Sequence, residues 1–287
     1  MNFQAIETKK PVAIADGILL NHKSVISTTI NHEQWLNLNG DIVVRNVTYP
    51  SLLKYPALTG SKKKNESIII APGGGMMVMA IQHEGISVAK KMAAEGYDAY
   101  VLLYRLNATP HSTEAFIDHC NHFYTQLLNE GFGNAKVELF VDEAIDDLKL
   151  AIAEVRSQPL EINHKIHFLG FSAGAQIGRE FTKKNNGGNS LHSLGMLYGD
   201  LSELNIKTDH LPHLFGVMAS DDPIFSRKGL GIVHTWHENN KDVEIHFFKN
   251  GGHGFGDRIN KKTSDAWLNL YFNWLKNISD ECDKLEK

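Results

Sequence analysis

The stretch Leu169-Gly170-Phe171-Ser172-Ala173-Gly174 decides the fold of this chain of 287 residues. It contains the pattern Gly-x-Ser-x-Gly, follows an apolar run from Ile166 to Leu169, and precedes a helical pattern from Gln176 to Lys184. That context predicts a sharp strand-to-helix turn, flanked by glycines because a Cβ atom there would clash, with the serine hydroxyl clear of the backbone. The helix N-terminus favours developing negative charge. The stretch therefore predicts Ser172 as a nucleophile; the alternative is a tight turn that holds a serine by chance.

Composition and charge narrow the functional class. The chain is 42% hydrophobic, which is enough for a large core in one α/β domain. The formal net charge is −4 and the isoelectric point about 6.4, so neither nucleic acid nor an anionic membrane is an expected partner. We find no leader pattern and no apolar window of transmembrane length, and therefore expect a cytoplasmic location.

Strand and helix patterns alternate along most of the chain. Continuous apolar runs such as Ser67 to Ala71 and Ala99 to Tyr104 are typical of parallel strands that are buried on both faces. This alternation predicts an α/β fold, with a mostly parallel central sheet and helices on both faces. We expect residues 1–40 to form an N-terminal arm or first strand, and residues 41–280 to form the catalytic domain.

The segment 107–141 is longer than an ordinary connection between strands. Its middle, from Glu114 to Asn129, has helical periodicity, and the segment is expected near the mouth of the site. Two interpretations stay open, namely a lid or wall of an acyl pocket, and a surface excursion without function.

A nucleophilic serine needs a base for its hydroxyl proton and an acid that orients the base. Asp221 and Asp222 follow one predicted strand, and His253, which lies between glycines, follows the next. Both groups are therefore expected at the C-terminal edge of the sheet, which also carries Ser172. We predict His253 as the base and Asp222 as the acid. Asp221 is the competing acid. Whichever aspartate does not orient the base would be a turn or capping residue.

The stretch Pro72-Gly73-Gly74-Gly75 follows a buried strand and supplies the third requirement of acyl transfer. Consecutive glycines let backbone N–H groups approach a developing oxyanion, so we predict Gly74, Gly75 and Ala173 as its donors. The stretch lacks the Gly-Lys-Ser/Thr of a phosphate-binding loop and the Gly-x-Gly-x-x-Gly of a dinucleotide site. No nucleotide cofactor is therefore expected.

Metal chemistry is not expected either. His119 and His122 are three residues apart on a predicted helix, but no acidic or cysteine partner is identifiable, so a solvated helix face is the preferred interpretation. The two cysteines, Cys120 and Cys282, are far apart and have no metal-ligand spacing. They fit free thiols in a reducing compartment, although one disulfide stays open.

Together these stretches resemble the α/β-hydrolase superfamily, and within it the small esterases related to acetyl-xylan and feruloyl esterases. Besides the motifs above, the resemblance includes His83-Glu84-Gly85 and Leu103-Tyr104-Arg105-Leu106. It implies a carboxylic ester hydrolase without a cofactor, in which Ser172 is the nucleophile, His253 the base and Asp222 the orienting acid.

The chain departs from the resemblance in three places. Ala175 stands where a third glycine often follows the turn, the stretch from Tyr198 to Leu214 is short, and segment 107–141 is long. The two segments normally shape the acyl and alcohol pockets, so the resemblance does not fix the substrate. We expect a small-molecule ester with a short acyl chain, such as an acetylated sugar. A peptidase, a lactone hydrolase and a non-catalytic binding protein are the alternatives, and a homodimer stays open.

Overall fold

The computed structural model describes residues 4–10, 17–20, 32–130, 141–187 and 190–285. In these ranges the strands are β1 Ala5–Thr8, β2 Ile18–Leu19, β3 Gln34–Leu38, β4 Asp41–Arg45, β5 Ser51–Tyr55, β6 Glu66–Ala71, β7 Val78–Met79, β8 Asp98–Leu103, β9 Lys165–Phe171, β10 Ser193–Leu197, β11 His213–Ala219 and β12 Val243–Phe248. The helices are α1 Ser87–Ala94, α2 Thr113–Glu130, α3 Asp142–Ser157, α4 Ala173–Lys184, α5 Gly231–Glu238 and α6 Trp267–Leu285. Short helical turns lie at Gln82–Ile86, Ser226–Lys228 and Thr263–Ala266. None of these described helices is long and apolar enough to cross a lipid bilayer.

The central sheet has the strand order β12-β11-β10-β9-β6-β8-β5-β2. The strands from β12 to β8 run parallel, whereas β5 and β2 are antiparallel at one edge. Every residue of β6, β8 and β10 is buried, so both faces of the sheet are covered. Helix α1 packs against β8, α4 against β9, and α6 against β11. The predicted α/β-hydrolase fold, with a mostly parallel sheet and helices on both faces, is confirmed.

A second sheet, β1-β3-β4-β7, is antiparallel and does not follow from the sequence patterns. Strands β3 and β4 form a hairpin whose turn residues Asn39 and Gly40 have φ angles of 52° and 95°. Asn-Gly suits this turn because both positions require positive φ. The hairpin spans the predicted boundary at residue 41, and β2 pairs with β5 of the central sheet. The described parts of residues 1–40 therefore contribute to both sheets.

Helix α2 lies within the segment 107–141 and packs against the second sheet. Its Phe116, Cys120 and Phe123 are buried among apolar side chains of β3, β4 and β7, and together they form a small second core. The end of the segment, residues 131–140, lies outside the described residues. The described helix stands beside the carboxyl-terminal edge of the central sheet, where it lines a cavity at Ser172.

Candidate active site

Ser172 lies at the turn between β9 and α4. Its backbone has φ 49° and ψ −112°, a strained conformation that residues with a side chain rarely adopt. A Cβ atom on Gly170 would lie 2.4 Å from the carbonyl oxygen of Gly174. A Cβ atom on Gly174 would lie 2.0 Å from the carbonyl oxygen of Ala71. Only glycine fits at these two positions, and the sharp strand-to-helix turn that the sequence pattern predicts is present.

Three of the predicted residues form a continuous hydrogen-bonded chain. Ser172 Oγ lies 2.8 Å from His253 Nε2, and His253 Nδ1 lies 2.8 Å from Asp222 Oδ2. The Asp222 side chain is fully buried, while that of His253 is 17% exposed. An ionised carboxylate can only accept, so Nδ1 carries the imidazole proton and Nε2 is left to accept from the serine hydroxyl. This is the tautomer that a general base needs.

The two adjacent aspartates have different partners. Asp222 Oδ1 accepts hydrogen bonds from the backbone N–H groups two and three residues later, at 2.7 and 3.0 Å, which fix the carboxylate. Asp221 is exposed, and its Oδ1 accepts from two glycine N–H groups just before His253, at 2.8 and 2.7 Å. The bond from Gly252 is the largest cause of the lowered pKa of the Asp221 carboxyl. Asp222 thus faces the imidazole, and Asp221 holds the loop that carries it.

The glycine loop, Gly73–Gly75, turns its carbonyl groups toward its own chain. The carbonyl of Gly73 accepts from Ala80 N–H at 2.9 Å, and that of Gly74 accepts from the N–H three residues later at 3.2 Å. Because the peptides are trans, the N–H groups of Gly74 and Gly75 point the opposite way. Ala173 is the first residue of α4, where an N–H lacks an intrahelical partner. Among the described residues, none of these three N–H groups has a protein acceptor.

A cavity of about 390 Å³ opens at Ser172, a volume typical of small-molecule sites. Its lining comprises Gly74, Gly75, Ala80, Glu84, Phe123, Tyr124, Leu128, Ser172, Pro223, Ile224, His253, Gly254 and Arg258. The apolar part comes from α2 and from the loop that follows Asp222. The polar part comes from the Ser–His pair, Glu84 and Arg258. The cavity therefore places an apolar surface and a few polar groups next to the serine hydroxyl.

Comparison of the sequence with protein families identifies one match. The sequence model of the dienelactone hydrolase family matches residues 57–279, which is most of the chain. This chain belongs to the dienelactone hydrolase family. The matched range contains Ser172, Asp222 and His253 as well as the glycine loop. No curated protein sequence is significantly similar to this family member.

Solved structures that resemble this dienelactone hydrolase family member share its fold. An acetyl ester-xyloside bifunctional hydrolase from Caldicellulosiruptor lactoaceticus has a TM-score of 0.61 at 19% identity, covering 94% of this chain and 99% of that chain. An α/β hydrolase enzyme from a Medee basin deep-sea metagenome library has a TM-score of 0.58 at 22% identity, covering 80% and 93%. A carboxylesterase from Lactobacillus plantarum has a TM-score of 0.58 at 14% identity, covering 91% and 96%. At these identities the likeness shows the α/β-hydrolase fold.

Two buried residues of the site, Glu84 and Tyr198, are given no role by the sequence patterns. Glu84 is 3% exposed, and its carboxylate oxygens accept hydrogen bonds from Gly73 N–H at 2.7 Å and Tyr198 O–H at 2.8 Å. Burial raises the pKa of the Glu84 carboxyl, and the two bonds oppose that effect. The one signal in the sequence is the place of Glu84 within the motif His83-Glu84-Gly85. That motif marks the resemblance but does not show that the side chain is buried.

Among the described residues, one cluster could hold a metal ion. Ligand atoms of Glu203, His234 and Glu238 lie within 4.8 Å of one another, and all three side chains are exposed. His234 Nε2 already lies 3.2 Å from Glu238 Oε1. None of the three lines the cavity at Ser172, so they do not contribute to its chemistry.

The other histidines and the cysteine considered as metal ligands lie on α2. His119 and His122 are both exposed there, on the solvated helix face that the sequence favours. Cys120, between them, is a buried free thiol, and burial raises its pKa to about 12. A thiol of that kind is a poor nucleophile at neutral pH. The side chain of Cys282 lies outside the described part of the structure.

Proposed function

We propose that this chain is a serine carboxylic ester hydrolase that acts on short-chain acyl esters, acetylated sugars among them. The observation that carries the proposal is the hydrogen-bonded chain from Ser172 through His253 to Asp222, at a strained turn that opens into a cavity. Membership in a hydrolase family supports it. The names of two structural neighbours, an acetyl ester-xyloside hydrolase and a carboxylesterase, agree with this substrate class.

In the proposed acylation step, Ser172 Oγ attacks the ester carbonyl while His253 Nε2 takes the hydroxyl proton. The imidazolium that forms is stabilised by Asp222 through Nδ1–H. The negative charge that develops on the carbonyl oxygen is bound by N–H groups of the glycine loop and of Ala173. Collapse of the tetrahedral intermediate breaks the ester bond, and the imidazolium protonates the departing alcohol.

The acyl-enzyme is then hydrolysed by the same residues. His253 removes a proton from a water molecule, which attacks the acyl carbonyl and passes through a second oxyanion. The imidazolium returns its proton to Ser172 Oγ, and the carboxylic acid leaves. The proposal assigns no step to a metal or a cofactor.

Lactone hydrolysis is the second candidate, and the family match favours it. A lactone is a cyclic ester, so the same attack opens the ring and leaves the alcohol attached to the acyl group. Peptidase activity that depends on binding a substrate amino terminus has less support, because it requires an acidic group open to the substrate. Among the described residues of the cavity, the acid is Glu84, which is buried and already holds two protein donors.

The test is treatment of the intact protein with a fluorophosphonate, followed by mass measurement, peptide mapping and turnover of p-nitrophenyl acetate. We expect one adduct, on Ser172, and measurable turnover. Ser172→Ala should lose both without losing the fold, while Ser157→Ala, at an exposed serine of α3, should keep both. A folded Ser172→Ala variant that retains most of the turnover would refute the proposal. A parallel panel of γ- and δ-lactones separates the two candidate substrates.

The paired aspartates test the assignment of the acid. Asp222→Asn should lower kcat by roughly 10⁴-fold, because an amide stabilises the wrong imidazole tautomer. Asp221→Asn keeps an oxygen that can accept from the glycine N–H groups, so its kcat should stay within about tenfold, since neutral hydrogen bonds are about half as strong as charged ones. If kcat falls further in Asp221→Asn than in Asp222→Asn, Asp221 is the acid that orients His253.

A further inference from the structure

Glu84 joins two loops that line the cavity at Ser172. Its Oε2 accepts from Gly73 N–H at 2.7 Å, in the loop that supplies two of the proposed oxyanion donors. Its Oε1 accepts from Tyr198 O–H at 2.8 Å. The same hydroxyl oxygen accepts from Gly256 N–H at 3.1 Å, in the loop that carries His253. Glu84 and Tyr198 thus form a buried bridge from the glycine loop to the histidine loop.

Tyr198 also contacts the imidazole directly. Its ring centroid lies 5.2 Å from that of His253 with the planes at 68°, and 4.5 Å from the ring of Phe255. The tyrosine is fully buried and has a positive φ of 40°, which is uncommon for a residue with a large side chain. The hydroxyl of this strained, buried tyrosine donates one hydrogen bond and accepts another, so the side chain cannot shift without moving the histidine loop.

The bond to the glycine loop acts on the oxyanion site. Gly73 N–H lies in the peptide just before the one whose N–H is the first proposed donor. Its bond to Glu84 fixes Gly73 on one side, and the bond from Ala80 N–H to the Gly73 carbonyl fixes it on the other, so together they hold the donor peptide in place. Glu84 is 3% exposed, and a buried carboxylate without hydrogen bonds would be strongly unfavourable. The carboxylate is therefore tolerated only while both loops stay in their present positions. Gly73 N–H has its acceptor only while the carboxylate is there, and the Tyr198 hydroxyl that accepts from Gly256 N–H is oriented by its own bond to that carboxylate.

We propose that Glu84 is a positioning residue that holds the glycine loop and the histidine loop in catalytic alignment through its two buried hydrogen bonds. The inference rests on the proposed function, because alignment matters for activity only if Ser172 and His253 form the reacting pair. The alternative is a buried acid that stabilises the fold and has no separate effect on the transition state.

Transition-state affinity distinguishes these two roles. Phenylboronic acid forms a tetrahedral adduct with an activated serine and uses the oxyanion donors, whereas KM mainly reports the ground-state complex. A loss of alignment should lower kcat and weaken the boronate, with little change in KM. Loss of stability alone should lower the melting temperature and leave kcat of the folded fraction unchanged.

Four variants complete the design. Glu84→Ala should lower kcat and boronate affinity by about 100-fold, the typical cost of displacing catalytic groups by about 1 Å. Glu84→Gln keeps an oxygen for Gly73 N–H, so it should recover kcat to within about tenfold of wild type. Tyr198→Phe keeps the ring against His253 but removes the hydroxyl that links Glu84 to Gly256 N–H, so its kcat should fall by about tenfold. Glu95→Ala, at an exposed acid beside α1, is the matched control and should change nothing.

The double variant Glu84→Ala/Tyr198→Phe should lose less kcat than the product of the two single losses, because the first change already breaks the bond between Glu84 and Tyr198. Losses that multiply, or a folded Glu84→Ala variant with wild-type kcat and boronate affinity, would overturn the inference. If Glu84→Ala does not fold, Glu84→Gln and Tyr198→Phe decide, and wild-type kinetics in both would overturn it. A wild-type protein that takes no fluorophosphonate refutes the proposed function itself, whereas equal labelling rates in wild type and Glu84→Ala refute only the role of Glu84.

Discussion

The substitution Gly74→Ala should separate oxyanion stabilisation from substrate binding. Gly74 has φ 135°, and a Cβ atom there would lie 1.8 Å from the backbone carbonyl oxygen of Val78. Rotation of a side chain cannot relieve a contact with backbone, so the glycine loop must move and carry the N–H groups of Gly74 and Gly75 with it. Loss of one oxyanion donor typically costs about 2.7–4 kcal/mol in the transition state, so kcat should fall by about 10²–10³-fold with KM little changed.

The assay is steady-state hydrolysis of p-nitrophenyl acetate, together with the fluorophosphonate labelling rate of Ser172 and the melting temperature. Gly60→Ala is the matched control, because Gly60 has φ 97° and nothing lies within 4 Å of its Cβ position. It should cost about 1–2 kcal/mol of stability from left-handed backbone strain and leave kcat unchanged. A folded Gly74→Ala variant with kcat within about threefold of wild type, or with a raised KM and normal kcat, would refute the assignment of the glycine loop.

Two further predictions concern the cavity wall and the acid stability of the fold. Phe123 lines the cavity, with its ring 3.2 Å from the Cβ position of Gly75. Phe123→Ala should therefore raise kcat/KM for a p-nitrophenyl hexanoate relative to the acetate by at least about tenfold, and an unchanged ratio would contradict a role in acyl selection. Burial, followed by the neighbouring His167 and His213, lowers the pKa of His192 from 6.5 to about 3. Below pH 6.5 the unfolded chain takes up a proton on His192 that the folded chain does not. The free energy of unfolding therefore decreases as the pH is lowered. The loss by pH 5 should be up to about 2 kcal/mol, and urea unfolding at pH 7 and pH 5 should show it in wild type but not in His192→Asn.

The central sheet could be predicted because its signals are local. Buried parallel strands appear as continuous apolar runs, and the glycines around Ser172 mark a turn that only glycine allows. The positions of Asp222 and His253 follow from the same argument, since each comes directly after a strand whose carboxyl end lies at one edge. The choice between the two aspartates could not be made this way. Adjacent residues share the same spacing, and the backbone donors that separate them exist only in the folded chain.

The second sheet and the buried bridge could not be predicted for a different reason. The strands β1, β3 and β7 are short, and their polar and apolar residues alternate too briefly to distinguish them from loops. The Asn39-Gly40 pair is the one strong hairpin signal in that region. Glu84 occupies a short helical turn, where an acidic side chain is usually solvated. Its burial depends on Tyr198, a residue more than a hundred positions away, and no local pattern carries that information.

The site is positioned in two ways, and they should respond differently to substitution. The sheet holds the strand-to-helix turn at Ser172, because Ser172 N–H donates to the carbonyl of Leu197 at 2.9 Å. It also holds Tyr198, whose N–H donates to the carbonyl of Val217 at 2.7 Å. These bonds continue the pairing of parallel strands, so their loss should reduce stability and activity together. The glycine loop is linked to the histidine loop through the side chains of Glu84 and Tyr198, by hydrogen bonds outside any strand pairing. Since catalysis requires alignment to within about 0.5 Å, substitutions there should reduce activity well before they reduce stability.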